Sequence, residues 1–300
     1  MGELPSLQQR LVLKCGDTLM LTKSPIIGAN ANYDEAGRLL ASAHISCTLP
    51  EVFANVRAGQ RVWLDDGKIG GCIRTVTDDQ LEIQITHAAE TGGKLGADKG
   101  INLPDTSINL PAPTKKDLED LPFIVQHADA VEMSFVRSAE DDLRLHQELE
   151  HLGGGELGVI LKIETQQAFE KLPDLMLAVM RHESCGIMIA RGNLAVECGY
   201  ERLAEVQEEL LWFCEAAHMP VIWAAQVLEN LAKTGFPSRA EVTDAATGER
   251  AECVMLNKGP HVVEAVRTLD NILRRMQGHQ MKKTAMMRQL HVYAKLNGVV

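Results

Sequence analysis

The sequence holds no CxxC pair, no HExxH string and no close cluster of cysteine with histidine, so the usual zinc-ligand spacings are missing. It has no run of about 18 apolar residues, the length a membrane-spanning helix requires, and Met1–Arg10 lacks the apolar centre of a secretory signal. Positive charge is also short: 30 Lys+Arg face 41 Asp+Glu, a formal charge of -11. That balance argues against nucleic acid or an anionic membrane as partner. A small anionic ligand would need a local cation or metal.

What is present is enough for a substantial core. The 300 residues are 45% hydrophobic and fit one large or two smaller domains. Seven cysteines, an odd count without paired spacing, predict reduced thiols in a cytoplasm.

The stretch from Gly158 to Glu197 organises the chain. Gly158–Glu164 is an apolar run whose only polar side chains, Lys162 and Glu164, share one face because strand side chains alternate with a period of two. An ammonium and a carboxylate are thereby set side by side. Gly186–Arg191 is a second buried-type strand, followed by Gly192, where the backbone can come close to a ligand. About 20 residues of helical pattern separate the two, as in a parallel α/β sheet, whose chemistry collects at the carboxyl ends of the strands.

Before this stretch the texture is β from Leu11 to about Ala89. Arg61–Leu64 and Ile69–Thr75 flank Asp65-Asp66-Gly67-Lys68, a hairpin signal, while residues 26–50 read as irregular. Gly92, Gly93 and Gly96 read as a linker. Beyond it strands are expected at Val131–Val136, Gly158–Glu164, Gly186–Arg191, Pro220–Gln226 and Cys253–Leu256. Helices alternate with them: one capped by Thr114 and shortened or kinked at Pro122, one capped by Ser138, one broken at Pro173, then Glu201–His218, a capping box at Ser238–Glu241, and Val262–Met276. The expected division is a small β domain over 1–98, a partial (β/α) barrel over 99–280 and a basic tail over 281–300.

Six strings in fixed order, KGINLP, SFVR, LKIET, IMIARGNLAVE, PVIWAAQVLENL and SRAEVTDAA, resemble the ordered motifs of the pyruvate kinase family, from about Gly59 to about Met276. The resemblance implies an α/β fold in which the small β-barrel-like domain is a lid inserted into a TIM-type barrel. It implies phosphoryl transfer between phosphoenolpyruvate and ADP, giving pyruvate and ATP, with Mg²⁺ or Mn²⁺ and K⁺. By the same resemblance Lys162 holds the phosphoryl group or the enolate, Glu164 and Asn193 are metal ligands, and the amides of Arg191 and Gly192 receive the substrate carboxylate. Lys99 matches a hinge lysine near the phosphates, and Ser134 a potassium ligand.

Three departures count against full activity. Asn193 stands where the family has an aspartate, so a full negative charge is lost beside the expected metal, worth several kcal/mol at an effective dielectric of about 20. Ala225 replaces a threonine near the carbon that is protonated. Asn257-Lys-Gly-Pro260 is shorter than the family's Ser-Gly-Glu-Thr-Ala run and reads equally as a surface turn. Lys99 reads equally as a solvated linker cation; Lys162 with Glu164 has the alternative of a buried pair without catalytic duty, but their place at a strand end favours function.

The strand count adds a constraint, because five strands cannot close an eight-stranded barrel. Two edges are expected to be open, with the remaining strands supplied by another polypeptide, an oligomer or a longer product, or with the chain a degenerate remnant. The alternatives to a phosphotransferase are a non-catalytic binding or regulatory protein of the same family and a metal-dependent lyase of 2-oxo acids.

Overall fold

A computed structural model describes residues 10–106 and 112–277, in two compact units, Met1–Leu110 and Pro111–Val300. The expected basic tail over 281–300 lies outside the described residues.

The first unit is all β. Its strands are β1 (Leu11–Leu13), β2 (Thr18–Thr22), β3 (Asn32–Tyr33), β4 (Leu39–Ala41), β5 (Ala43–Ser46), β6 (Arg61–Leu64), β7 (Ile69–Val76), β8 (Gln80–His87), β9 (Gly93–Leu95) and β10 (Ile101–Asn102). Six of them form a sheet in the order β10-β6-β7-β8-β2-β5, in which β2 and β5 are parallel and the other neighbours antiparallel. Alternation explains it: Leu81, Ile83 and Ile85 on β8 are all buried, as are Leu19 and Leu21 on β2. The β6–β7 turn uses left-handed backbone at Asp65, Asp66 and Gly67, as an Asp-Gly hairpin requires.

Some expectations change here. Gly92 and Gly93 are not a linker: β9 pairs antiparallel with β1, and a side-chain carbon on Gly93 would lie 2.5 Å from Ile69, so glycine is present for close packing. β10 pairs with β6, so Ile101 and Asn102 lie with the small sheet, and the two compact units are Met1–Leu110 and Pro111–Val300. Residues 26–50, which read as irregular, contain the β3–β4 hairpin and β5. The exposed strands β3 and β4 carry no buried face to leave a pattern in the sequence.

The second unit alternates helix and strand: α1 (Lys115–His127), β11 (Ala130–Met133), α2 (Ala139–His151), β12 (Gly158–Ile163), α3 (Gln166–Glu170), α4 (Leu172–Val179), β13 (Cys185–Ala190), α5 (Arg191–Cys198), α6 (Leu203–Ala216), β14 (Val221–Val227), α7 (Glu229–Thr234), α8 (Arg239–Thr247), β15 (Cys253–Leu256) and α9 (Val262–Met276). The five strands form one parallel sheet in chain order, a curled part of a (β/α) barrel. Among the described residues β11 and β15 each pair on one side only.

The register sets the faces. Val159, Leu161 and Ile163 of β12 join one core with Leu145, Leu149 and Phe169 from the helices, each worth about 1.5–3 kcal/mol on burial. Ile160 and Lys162 therefore face the other way, toward the concave side. Thr114 and Ser238 form capping boxes with Asp117 and Glu241. Pro122 lies inside α1, which continues past it, whereas Pro173 sits at the start of α4 and separates it from α3. No helix among the described residues is long and apolar enough to cross a membrane.

Candidate active site at the carboxyl ends of the parallel strands

Lys162 is the penultimate residue of β12 and Glu164 follows the strand, so the period of two delivers both to the same rim. Lys162 Nζ donates to Ser134 Oγ at 2.9 Å and lies 3.9 Å from Glu164 Oε1. At an effective dielectric of about 20 that separation gives about 4 kcal/mol of attraction before desolvation. Ser134 comes from the turn after β11, which ends at Met133 because Phe135 adopts a left-handed backbone. That turn aims the Phe135 N–H at Glu164 Oε1, 2.7 Å away.

Glu164 is 2% exposed, and its second oxygen is also engaged: Oε2 accepts Asn193 Nδ2 at 2.7 Å. Asn193 lies in the first turn of α5, which starts where β13 ends. Three consecutive βα junctions thus converge on one carboxylate. Beside them Gly192 faces open space.

The Arg191 side chain is turned into the protein, and is 8% exposed. Its Nε donates to the Ala224 carbonyl at 3.1 Å, its terminal nitrogens bond the Ala225 carbonyl and the Asp244 carboxylate, and its guanidinium stacks 4.5 Å from the Trp223 ring centroid. It clamps α5 to β14 and α8, which leaves only its backbone for a ligand. Ala225 enters the same clamp through its carbonyl.

Lys99 belongs to the first unit, where its Nζ pairs with buried Asp65 at 3.0 Å. In the Asn257–Pro260 loop, Asn257 accepts from the Gln226 amide at 3.1 Å and donates to Glu229 at 3.0 Å, and Gly259 lies against the backbone of Ala232, so the segment is a packed connection. Sequence reasoning missed three participants. These are the Phe135 amide, Asp244, and Arg137, which burial pushes below the usual arginine range while Asp141, Glu197 and Glu164 oppose the shift. Only the SFVR string pointed toward the first and third.

The family model described as "Pyruvate kinase, barrel domain" matches residues 9–266. The chain belongs to the pyruvate kinase family. The match begins at residue 9, so it reaches farther toward the amino terminus than the expected start at about Gly59. Similar curated proteins include a pyruvate kinase of Bacillus licheniformis, 36% identical over 240 residues, 78% of this chain and 40% of the relative. "Pyruvate kinase PKLR" of Rattus norvegicus is 36% identical over 218 residues, 70% of this chain and 36% of the relative. A pyruvate kinase of Geobacillus stearothermophilus is 32% identical over 272 residues, 88% of this chain and 43% of the relative. The chain thus spans between 36% and 43% of the length of these pyruvate kinases.

The cations associated with pyruvate kinases do not fit the donor set as it is arranged. Magnesium requires hard, anionic oxygens with room for its waters, but both Glu164 oxygens accept N–H donors and Asn193 presents its nitrogen. Ser134 Oγ, the expected potassium ligand, accepts from an ammonium. Among the described residues no group of three or more His, Cys, Asp or Glu is arranged to hold a metal ion.

Proposed function

We propose that this chain carries a pyruvate-kinase-type site for phosphoenolpyruvate and pyruvate, and that alone it transfers the phosphoryl group to ADP weakly or not at all. The carrying observation is the convergence of Lys162, Ser134, Glu164 and Asn193 on one rim beside the open space at Gly192. The family's glycolytic role and the free thiols support a cytoplasmic setting.

In this reading the Lys162 ammonium neutralises a phosphoryl oxygen, and the amides of Arg191 and Gly192 at the start of α5 take the carboxylate. Transfer breaks the bond from phosphorus to the enol oxygen, forms one to the terminal oxygen of ADP, and leaves an enolate that takes a proton on carbon. Ala225 offers no hydroxyl for that last step, which falls to water. The half-paired strands β11 and β15 support association with further barrel strands, from a longer product, a second copy or another polypeptide.

A coupled assay for pyruvate, run with Mg²⁺ and with Mn²⁺, tests the reading. Turnover should be barely above background and rise at least ~10-fold in Asn193→Asp/Ala225→Thr, because one change adds ligand charge and the other a proton-relay hydroxyl. Absence of phosphoenolpyruvate binding by calorimetry, with Lys162→Met indistinguishable from wild type, would refute it. A second reading, binding without turnover, is favoured by one observation: both oxygens of the would-be metal carboxylate are already satisfied by the chain's own donors. Phosphoenolpyruvate binding without pyruvate release in the double variant would select it.

A further inference from the structure

At the rim formed by Ser134, Lys162 and Asn193, both oxygens of Glu164 accept N–H donors of the chain itself. The Phe135 and Asn193 N–H groups each lie 2.7 Å from one of its oxygens, with the Lys162 ammonium 3.9 Å from Oε1. An ionised carboxylate only accepts, so the amide facing it must turn its nitrogen inward and its oxygen away. Two carboxylates at this spacing would repel and need a cation between them; a carboxylate and an amide do not. With Glu164 2% exposed and one N–H donor on each of its oxygens, the carboxylate as arranged is poorly suited to a hydrated divalent ion.

We propose that Asn193 takes the place of a divalent cation on Glu164, so that the site holds a small phosphorylated carboxylic acid through Lys162 with no metal. Lys162 is suited to this: its side chain is 24% exposed, and Ser134 uses one of its three ammonium protons. The anion part of the inference rests on the function proposed above. The metal part does not.

The test has two arms. In the first, free Mn²⁺ is followed by electron paramagnetic resonance during titration of wild type, Asn193→Asp and Glu164→Gln. Wild type should match Glu164→Gln, and Asn193→Asp should bind at least ~10-fold tighter, since a restored anionic ligand raises affinity for a hard cation. Equal Mn²⁺ affinity in wild type and Asn193→Asp, lost in Glu164→Gln, overturns the inference. Should Asn193→Asp fail to fold, the comparison of wild type with Glu164→Gln decides alone. In the second arm, phosphoenolpyruvate is titrated into wild type by calorimetry in excess EDTA and in millimolar magnesium. The affinities should agree within about twofold, and binding that appears only with magnesium overturns the inference. Binding in neither condition refutes the proposed function instead, and the Mn²⁺ arm still judges the role of Asn193.

Discussion

Replacing Arg191 should damage the second unit far more than a surface arginine would, because its guanidinium satisfies three acceptors on two other elements. In Arg191→Met, the carbonyls of Ala224 and Ala225 lose charge-assisted bonds worth about 1.5–3 kcal/mol each. The stacking on Trp223, 4.5 Å away, contributes about 1 kcal/mol more. Asp244 adds little, because its side chain is 28% exposed and solvent screens the pair. The expected loss is therefore about 4–7 kcal/mol, a large part of the 5–15 kcal/mol that holds a typical domain together.

Urea unfolding followed by tryptophan fluorescence measures it, with Trp63 reporting on the first unit and Trp212 and Trp223 on the second. The midpoint of the second unit should fall while that of the first stays. Arg191→Lys should recover less than half, since an ammonium lacks the planar fork that reaches two carbonyls and a carboxylate. Asp244→Asn should cost under ~1 kcal/mol. A loss below about 1 kcal/mol in Arg191→Met would refute the clamp.

Burial pushes the Asp65 carboxyl up, but the ion pairs with Lys99 at 3.0 Å and Lys68 at 3.2 Å outweigh it and hold it below the usual range. A depressed folded pKa stabilises above the unfolded value near 4, and this is lost as pH falls through the lower folded value. Asp65→Asn should flatten the acid limb of first-unit stability, read by Trp63; an unchanged limb would refute the pairing. In the second unit His182 Nε2 lies 3.2 Å from the fully buried Asp142, whose other oxygen has no partner. His182→Leu should cost about 3–5 kcal/mol in thermal unfolding and Asp142→Leu/His182→Leu less, because the single change strands a buried charge; a double variant less stable than the single would overturn this.

The legible part of the candidate site was that generated by local periodicity. Alternation along Gly158–Glu164 is a property of the chain itself, and it set Lys162 and Glu164 on one rim of a strand whose other face is core. The cap signals at Thr114 and Ser238 were likewise visible, since a side chain three residues away satisfies the amide. The glycines at 92 and 93 misled, because the same residue serves a loose linker and a tight strand contact.

By itself, then, the sequence determined which residues reach the carboxyl ends of the parallel strands, because strand and helix periods act over a few residues. Tertiary structure alone decided what they do there. Ser134, Glu164 and Asn193 lie on different βα junctions, and only their convergence turns the Asn193 amide onto Glu164 and Lys162 onto Ser134. Arg191 turns to Ala224, Ala225 and Asp244, and Lys99 to Asp65, for the same reason: a charge settles on the acceptors that the fold brings within reach, and these lie about 30 to 50 residues away.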